Sequence, residues 1–169
     1  MDRVTVAIAL GSNLGDRRAH LERAIERLRA ILTNLHASSI IETDPVAVPD
    51  YQPPYLNAMV VGETALEPEA LLDALRAIER DHGRARPSFR AARTLDLDVI
   101  LHGDLVRHTG DLEIPHPRFR ERMFVLEPLN EIAPDLIDPE TGLTVEETLK
   151  KAEGRGQKAE VSPKAEVRR

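Results

Sequence analysis

Residues 92 to 101 read ARTLDLDVIL, and the side chains in this stretch decide how the chain is built. Leu, Val and Ile in alternation with other residues mark a β-strand. Successive side chains on a strand point to opposite faces, so Asp96 and Asp98 share one face while Leu95, Leu97, Val99 and Leu101 take the other. The strand rise holds the two aspartates about 6 to 7 Å apart at Cα. Like charges at that range repel, and water or a bound cation has to relieve them. Oxygen ligands with places left for water suit Mg²⁺, which normally arrives with a nucleotide's phosphates. A plain solvent-facing strand edge would also carry an Asp-x-Asp pair, and so short a motif does not choose between the two.

Upstream, Val4, Val6, Ile8 and Leu10 alternate and stop at Gly11-Ser12-Asn13, which predicts a strand closed by a turn. Asp16 is placed to cap a helix whose Leu21, Ala24, Ile25, Leu28, Ile31 and Leu32 recur at helical spacing. Residues 38 to 43 and 56 to 61 read as a second and a third strand. A second helix is expected near Pro68, a residue suited to a first turn, with Leu71, Leu75 and Ile78 on one face. With 92 to 101 as the fourth strand, the order strand, helix, strand, strand, helix, strand is that of an α+β ferredoxin-like sandwich, an antiparallel sheet with helices on one face. A short C-terminal helix is expected over 144 to 152. Residues 153 to 169 have almost no large apolar side chain and read as a disordered tail. Residues 1 to 152 are thus expected to form a single domain.

Composition narrows the class. The 169 residues, 41% hydrophobic and 31% charged, suit one globular domain with a self-supporting core. Absence of cysteine excludes disulfides and thiolate metal sites. The opening MDRVTVAIALGSN lacks the long hydrophobic segment of a signal peptide or membrane span, so a cytoplasmic chain without membrane contact is the expectation. A net charge of -6, from 23 basic and 29 acidic residues, argues against broad nucleic-acid or anionic-membrane binding. Arginines nevertheless gather on both sides of the aspartates, at Arg76, Arg80, Arg84, Arg86, Arg90 and Arg93 and again at Arg118, Arg120 and Arg122. Guanidinium forks suit phosphate, and solvated faces pairing with local acids would use them too.

Aromatic residues make up only 3% of the chain and there is no tryptophan, so few side chains can sandwich a flat heterocycle. Tyr55 and Phe124 are candidates, with core packing the competing role for Phe124. Asn57 can offer a donor and an acceptor to a ring edge. His116, between two prolines in an extended loop, reads as a donor to a phosphate or as a surface residue. Gly11-Ser12-Asn13 lacks the lysine of a phosphate loop, which leaves the turn as its role. The proline-rich segment 44 to 54 and the arginine-rich segment 84 to 92 show no strong regular pattern and are expected to be mobile loops.

Taken together, ARTLDLDVIL, IPHPRFRERMF at 114 to 124, ALGSN at 9 to 13 and Tyr55-Leu56-Asn57 resemble the 6-hydroxymethyl-7,8-dihydropterin pyrophosphokinase family of folate synthesis, over residues 4 to 138. The resemblance implies a ferredoxin-like fold and transfer of the β,γ-diphosphate of ATP, the co-substrate, to the pterin hydroxymethyl oxygen, with release of AMP. It implies that Asp96 and Asp98 hold two Mg²⁺ ions and that Arg84, Arg93 and the two aspartates are catalytic. ATP would meet Glu79, Arg84, Arg86, Arg93, His116 and Arg122, and the pterin would meet Thr43, Val46, Tyr55, Asn57 and Phe124. Where many members carry Trp-Gly-Pro, this chain has Arg90-Ala91-Ala92. Small-molecule substrates and a monomeric chain are expected. A ferredoxin-like nucleic-acid-binding module and a non-catalytic pterin or nucleotide sensor are the competing readings. The first calls for exposed aromatics and a basic surface, and the second has no use for both aspartates.

Overall fold

The computed structural model describes residues 2–44, 53–83 and 94–160, with side chains to residue 156. The alternation at the start of the chain becomes β1 (Val4–Ser12), followed by α1 (Arg17–Arg29), β2 (Thr33–Ala37), β3 (Ile41–Thr43), β4 (Tyr55–Thr64), α2 (Pro68–Asp81) and β5 (Asp96–His102). A small hairpin of β6 (Arg107–Thr109) and β7 (Leu112–Ile114) comes next. A 3-10 turn (Phe119–Glu121), α3 (Met123–Ile132) and α4 (Val145–Glu160) complete the order.

The main sheet runs β2-β4-β1-β5 with antiparallel neighbours, and β3 pairs with the first residues of β4. This is the ferredoxin-like order. Each half is a strand, helix, strand crossover, and the handedness rule for such crossovers sends both helices to the same face. There Leu21, Ala24 and Leu28 of α1 and Leu71, Leu75 and Ile78 of α2 join Val6, Ile8, Leu10, Val60, Leu97 and Val99 in one core. Asp16 caps α1 as expected, accepting from the Ala19 N–H at 3.2 Å, and Pro68 occupies the first turn of α2. Between the two helices the His20 and His82 Nδ1 atoms lie 2.8 Å apart, and Arg27 pairs with Asp81 at 2.7 Å.

The other face departs from the expectation of helices on one side only. Ala7, Met59, Ile100 and Leu101 of the sheet pack there with Phe119, with Val125, Leu126 and Leu129 of α3, and with Val145 and Leu149 of α4. A sheet with apolar side chains on both faces has to be covered twice. The 3-10 turn is fastened beneath this layer by Arg120, whose Nε donates to the buried Asp138 at 2.5 Å and whose Nη2 donates to Glu140 at 2.9 Å.

Several boundaries differ from the sequence pattern. Ile31 and Leu32 do not belong to α1, which ends at Arg29. Leu32 instead seats against Gly62 of β4, where a Cβ would approach its own Cβ to 3.1 Å, and the chain goes directly into β2. The expected strand over 38 to 43 is confined to β3 (Ile41–Thr43), and β2 (Thr33–Ala37) forms ahead of it where the sequence pattern predicts no strand. β1 continues through Gly11 and Ser12, and the turn comes later, at Gly15 with φ 74°. The leucine face of β5 also breaks. Ala7 pairs with Leu101 while Ile8 pairs with Val99, so Ile100 is an extra residue and Leu101 turns to the second core. α4 runs on to Glu160, past residue 152, and residues 161 to 169 of the expected tail lie outside the described residues.

Leu126 is fully buried between α3 and the sheet. Leu126→Ala should lower stability by about 2–5 kcal/mol in urea unfolding, the range for emptying a core leucine site. A loss below about 1 kcal/mol would show that α3 does not close this face.

Candidate active site

The antiparallel register sets up one row of residues across three strands. Gly11 of β1 pairs with Asn57 of β4 on one side and with Asp96 of β5 on the other. Paired residues share a face, so Asn57, Gly11 and Asp96 all point away from α1 and α2. Asp98 follows on the same face opposite Ala9, and Tyr55 precedes Asn57. Two strand spacings separate Asn57 from Asp96, about 10 Å, with no side chain between them at Gly11. A Cβ built on Gly11 would lie 3.4 Å from Asn57 Oδ1 and 3.5 Å from Tyr55 Cδ1. The glycine read as a turn is thus the floor between a hydrogen-bonding amide and a pair of acids.

The amide is fixed. Asn57 Nδ2 donates to Thr43 Oγ1 at 2.7 Å, which leaves Oδ1 toward Gly11. Beside the floor, the buried Asn13 donates from Nδ2 to the Pro53 carbonyl at 3.2 Å and ties the β1–α1 turn to the start of β4. Phe124, at the first turn of α3, is partly buried against the second core, and the Arg122 guanidinium stands 5.6 Å from its ring centroid.

His116 follows the cis Ile114-Pro115 bond, and its N–H donates to the Ile100 carbonyl at 2.9 Å. Its Nδ1 accepts from the Arg118 N–H at 3.2 Å, so in the neutral ring the proton sits on Nε2. Burial, with Arg122 and Arg118 adding to it and Asp96 opposing, lowers the imidazole pKa to about 4. At neutral pH His116 is therefore an uncharged donor within the field of Asp96 and two arginines, the character suited to a phosphate oxygen.

Glu79 lies elsewhere. It sits on α2, only 4% exposed, and its Oε2 accepts from the Leu97 N–H at 2.7 Å. Val46, Arg84, Arg86 and Arg93, the flanking Arg90 and the expected mobility of 44 to 54 and 84 to 92 fall wholly or largely outside the described residues. The structure therefore brings together Thr43, Tyr55, Asn57, Asp96 and Asp98 on one face of the sheet, with His116 near Asp96. Arg122 stands beside both His116 and Phe124.

A family model of 7,8-dihydro-6-hydroxymethylpterin-pyrophosphokinase matches residues 7–134. The chain belongs to that family. It is 46% identical over 127 residues to the 2-amino-4-hydroxy-6-hydroxymethyldihydropteridine pyrophosphokinase of Bacillus subtilis, covering 74% of this chain and 75% of that one. Its identity to the enzyme of the same name from Haemophilus influenzae is 40% over 146 residues, covering 85% and 90%. The folic acid synthesis protein fol1 of Pneumocystis carinii is 40% identical over 146 residues, 86% of this chain, but the chain spans only 20% of its length. Among solved structures, wild-type Plasmodium falciparum HPPK-DHPS superposes with a TM-score of 0.71 at 14% identity, over 94% of this chain and 46% of that one, a likeness of fold. Within the pyrophosphokinase family model lies every described candidate residue, from Gly11 to Phe124.

Two consequences can be measured. In metal-free protein the His116 Cε1–H resonance should titrate near pH 4, and a midpoint above 6 would contradict the buried neutral ring. Because the folded pKa lies below the ordinary 6.5, the stability that His116 contributes is complete above about pH 6.5 and is lost as the pH falls toward 4. If the family's pterin lies on this floor, Gly11→Val should retain the far-UV spectrum and weaken its binding by roughly tenfold or more, since over-filling a packed site costs about 1–3 kcal/mol. Unchanged binding would show that no pterin lies over Gly11.

Proposed function

We propose that this chain transfers the β,γ-diphosphate of ATP to the hydroxymethyl oxygen of 6-hydroxymethyl-7,8-dihydropterin, a step of folate biosynthesis. The observation that carries the reading is the row Asn57-Gly11-Asp96, which sets a fixed amide and an acidic pair on one face with an open floor between them. A bicyclic ring laid over Gly11 meets Asn57 at its edge and directs its substituent toward Asp96. Tyr55 and Phe124 supply the aromatic faces for stacking with Thr43 beside the ring, and the family resemblance assigns Val46 to the pterin as well. His116 through Nε2–H and Arg122 through its fork take phosphate oxygens, and Arg84, Arg86 and Arg93 add further charge.

The donor set fits Mg²⁺. Asp96 and Asp98 offer only oxygens, and Mg²⁺ is commonly held by one or two carboxylates together with substrate phosphates and water. Asp96 and Asp98 would hold two ions that neutralise charge on the phosphates. In the transfer the hydroxymethyl oxygen forms a bond to the β-phosphorus, and the bond from that phosphorus to the oxygen bridging the α-phosphate breaks. AMP leaves with that oxygen, and the hydroxyl proton passes to solvent. The protein's part is to align the two substrates and to hold charge where it develops, which is most of what phosphoryl-type transfer asks of an enzyme.

No described helix is long and apolar enough to cross a membrane. We read the chain as a cytoplasmic monomer acting on small molecules. A nucleic-acid module is not favoured by a net charge of -6, and a sensor would leave the aspartate pair without a task.

Incubation with ATP, Mg²⁺ and the pterin should yield AMP and pterin diphosphate in equal amounts. ADP as the product would overturn the proposal. Asp96→Ala and Asp98→Ala should each lower turnover by about 100-fold or more, the scale for removing a charge-stabilising group, while thermal unfolding is unchanged. Wild-type rates in both variants, or turnover that survives EDTA, would remove the metal from the mechanism.

A further inference from the structure

We propose that Glu79 is a positioning residue for the aspartate pair, acting through the backbone of β5 rather than through the nucleotide. The inference rests on the reading of Asp96 and Asp98 given above. β5 ends the sheet, with β1 on one side and no strand of the described residues on the other. An end strand leaves outward N–H groups without ladder partners, and such a donor is costly to bury unpaired. At Leu97 the partner is the Glu79 carboxylate, 2.7 Å away on a residue that is 4% exposed.

The placement on α2 is unusual for an acid. Leu71, Leu75 and Ile78 make the apolar stripe that packs on the sheet, and Glu79 lies four residues beyond Leu75 on that same stripe. An apolar residue there would extend the core, whereas a buried carboxylate loses hydration. A charge-assisted hydrogen bond to a backbone N–H offsets that loss and is shorter and stronger than a neutral one.

The bonded N–H belongs to the residue between the two aspartates. Leu97 is gripped twice, by its side chain in the α1–α2 core and by its N–H at Glu79. Alternation then sends Asp96 and Asp98 to the opposite face from α2. Fixing the Leu97 peptide fixes the direction of both carboxyls. Glu79 itself approaches from the α2 side, whereas the resemblance places it among the nucleotide contacts.

The test compares Glu79→Gln with Glu79→Leu, and Asp96→Asn runs in parallel. The readouts are kcat and KM for ATP, Mn²⁺ affinity by electron paramagnetic resonance with a non-hydrolysable ATP analogue, and hydrogen exchange at the Leu97 amide. Glutamine keeps an oxygen for Leu97 but no charge. Glu79→Leu should expose the Leu97 amide, weaken Mn²⁺ and lower kcat on the order of 100-fold, the cost of slight misplacement of reacting groups. Glu79→Gln should restore most of all three.

Equal losses in both variants with a raised KM for ATP would assign the charge to the nucleotide and overturn the proposal. Wild-type behaviour in both would do the same. If Glu79→Leu does not fold, Glu79→Gln decides, since a protected Leu97 amide with kcat retained supports positioning and a protected amide with kcat lost refutes it. Full Mn²⁺ affinity in Asp96→Asn would defeat the reading of the aspartate pair, a failure separate from that of Glu79.

Discussion

A pleated strand cannot turn two neighbouring residues the same way, and the site depends on that geometric rule. Leu97 and Val99 are held in the α1–α2 core, so Asp96 and Asp98 have to emerge on the far face. The same rule acts on β1 and β4, where Leu10 and Ala58 are buried against the helices and Gly11 and Asn57 turn away from them. Three strands locked by their apolar sides therefore deliver a chosen set of polar side chains to one surface. Neither the acids nor the amide needs a loop to carry it, and rigid elements hold a site more firmly than loops do.

Around that surface the contributions are layered. α3 and α4 cover most of the second face, and the site occupies the end of the face where β1, β4 and β5 still carry small or polar residues. The 3-10 turn and the first turn of α3 bring Arg122 and Phe124 to the rim, and the Arg120–Asp138 pair secures the turn from below. His116 sits between these groups and Asp96, held by main-chain bonds on two sides. Charge is thus concentrated at the rim and polarity without charge lies at Asn57, a division suited to one ligand with phosphates and another with a neutral heterocycle. Membership of the pyrophosphokinase family agrees with that division.

Much of this was legible in the sequence because it rests on period two. The alternation in β1, β4 and the aspartate segment, with the cap at Asp16 and the proline opening α2, supplied the element order and the shared face of Asp96 and Asp98. What escaped had local chemistry pointing elsewhere. α3 contains Pro128, which removes an N–H from a helix interior and reads as a breaker. β2 is Thr-Asn-Leu-His-Ala, largely exposed, with no clean alternation to announce it. Residues 153 to 160 include Gly154 and Gly156, poor helix formers, yet they continue α4. Gly11 reads as a turn residue because glycine usually marks one, and only the pairing with Asn57 and Asp96 gives it a different task. Glu79 left a trace that periodicity alone could have found, an acid at a stripe position of an otherwise apolar helix face.

The extra residue at Ile100 also has a mechanical meaning. It lets β5 be pulled toward α2 over Leu97 and Val99 and toward α3 and α4 over Ile100 and Leu101. A ribbon gripped on opposite sides at its two ends resists rotation about its long axis. Such rotation would swing paired carboxyls out of alignment while leaving their spacing intact. By trading one ladder position for anchorage in both cores, the strand gains torsional stiffness next to the residues that need it, without a single added side chain at the site.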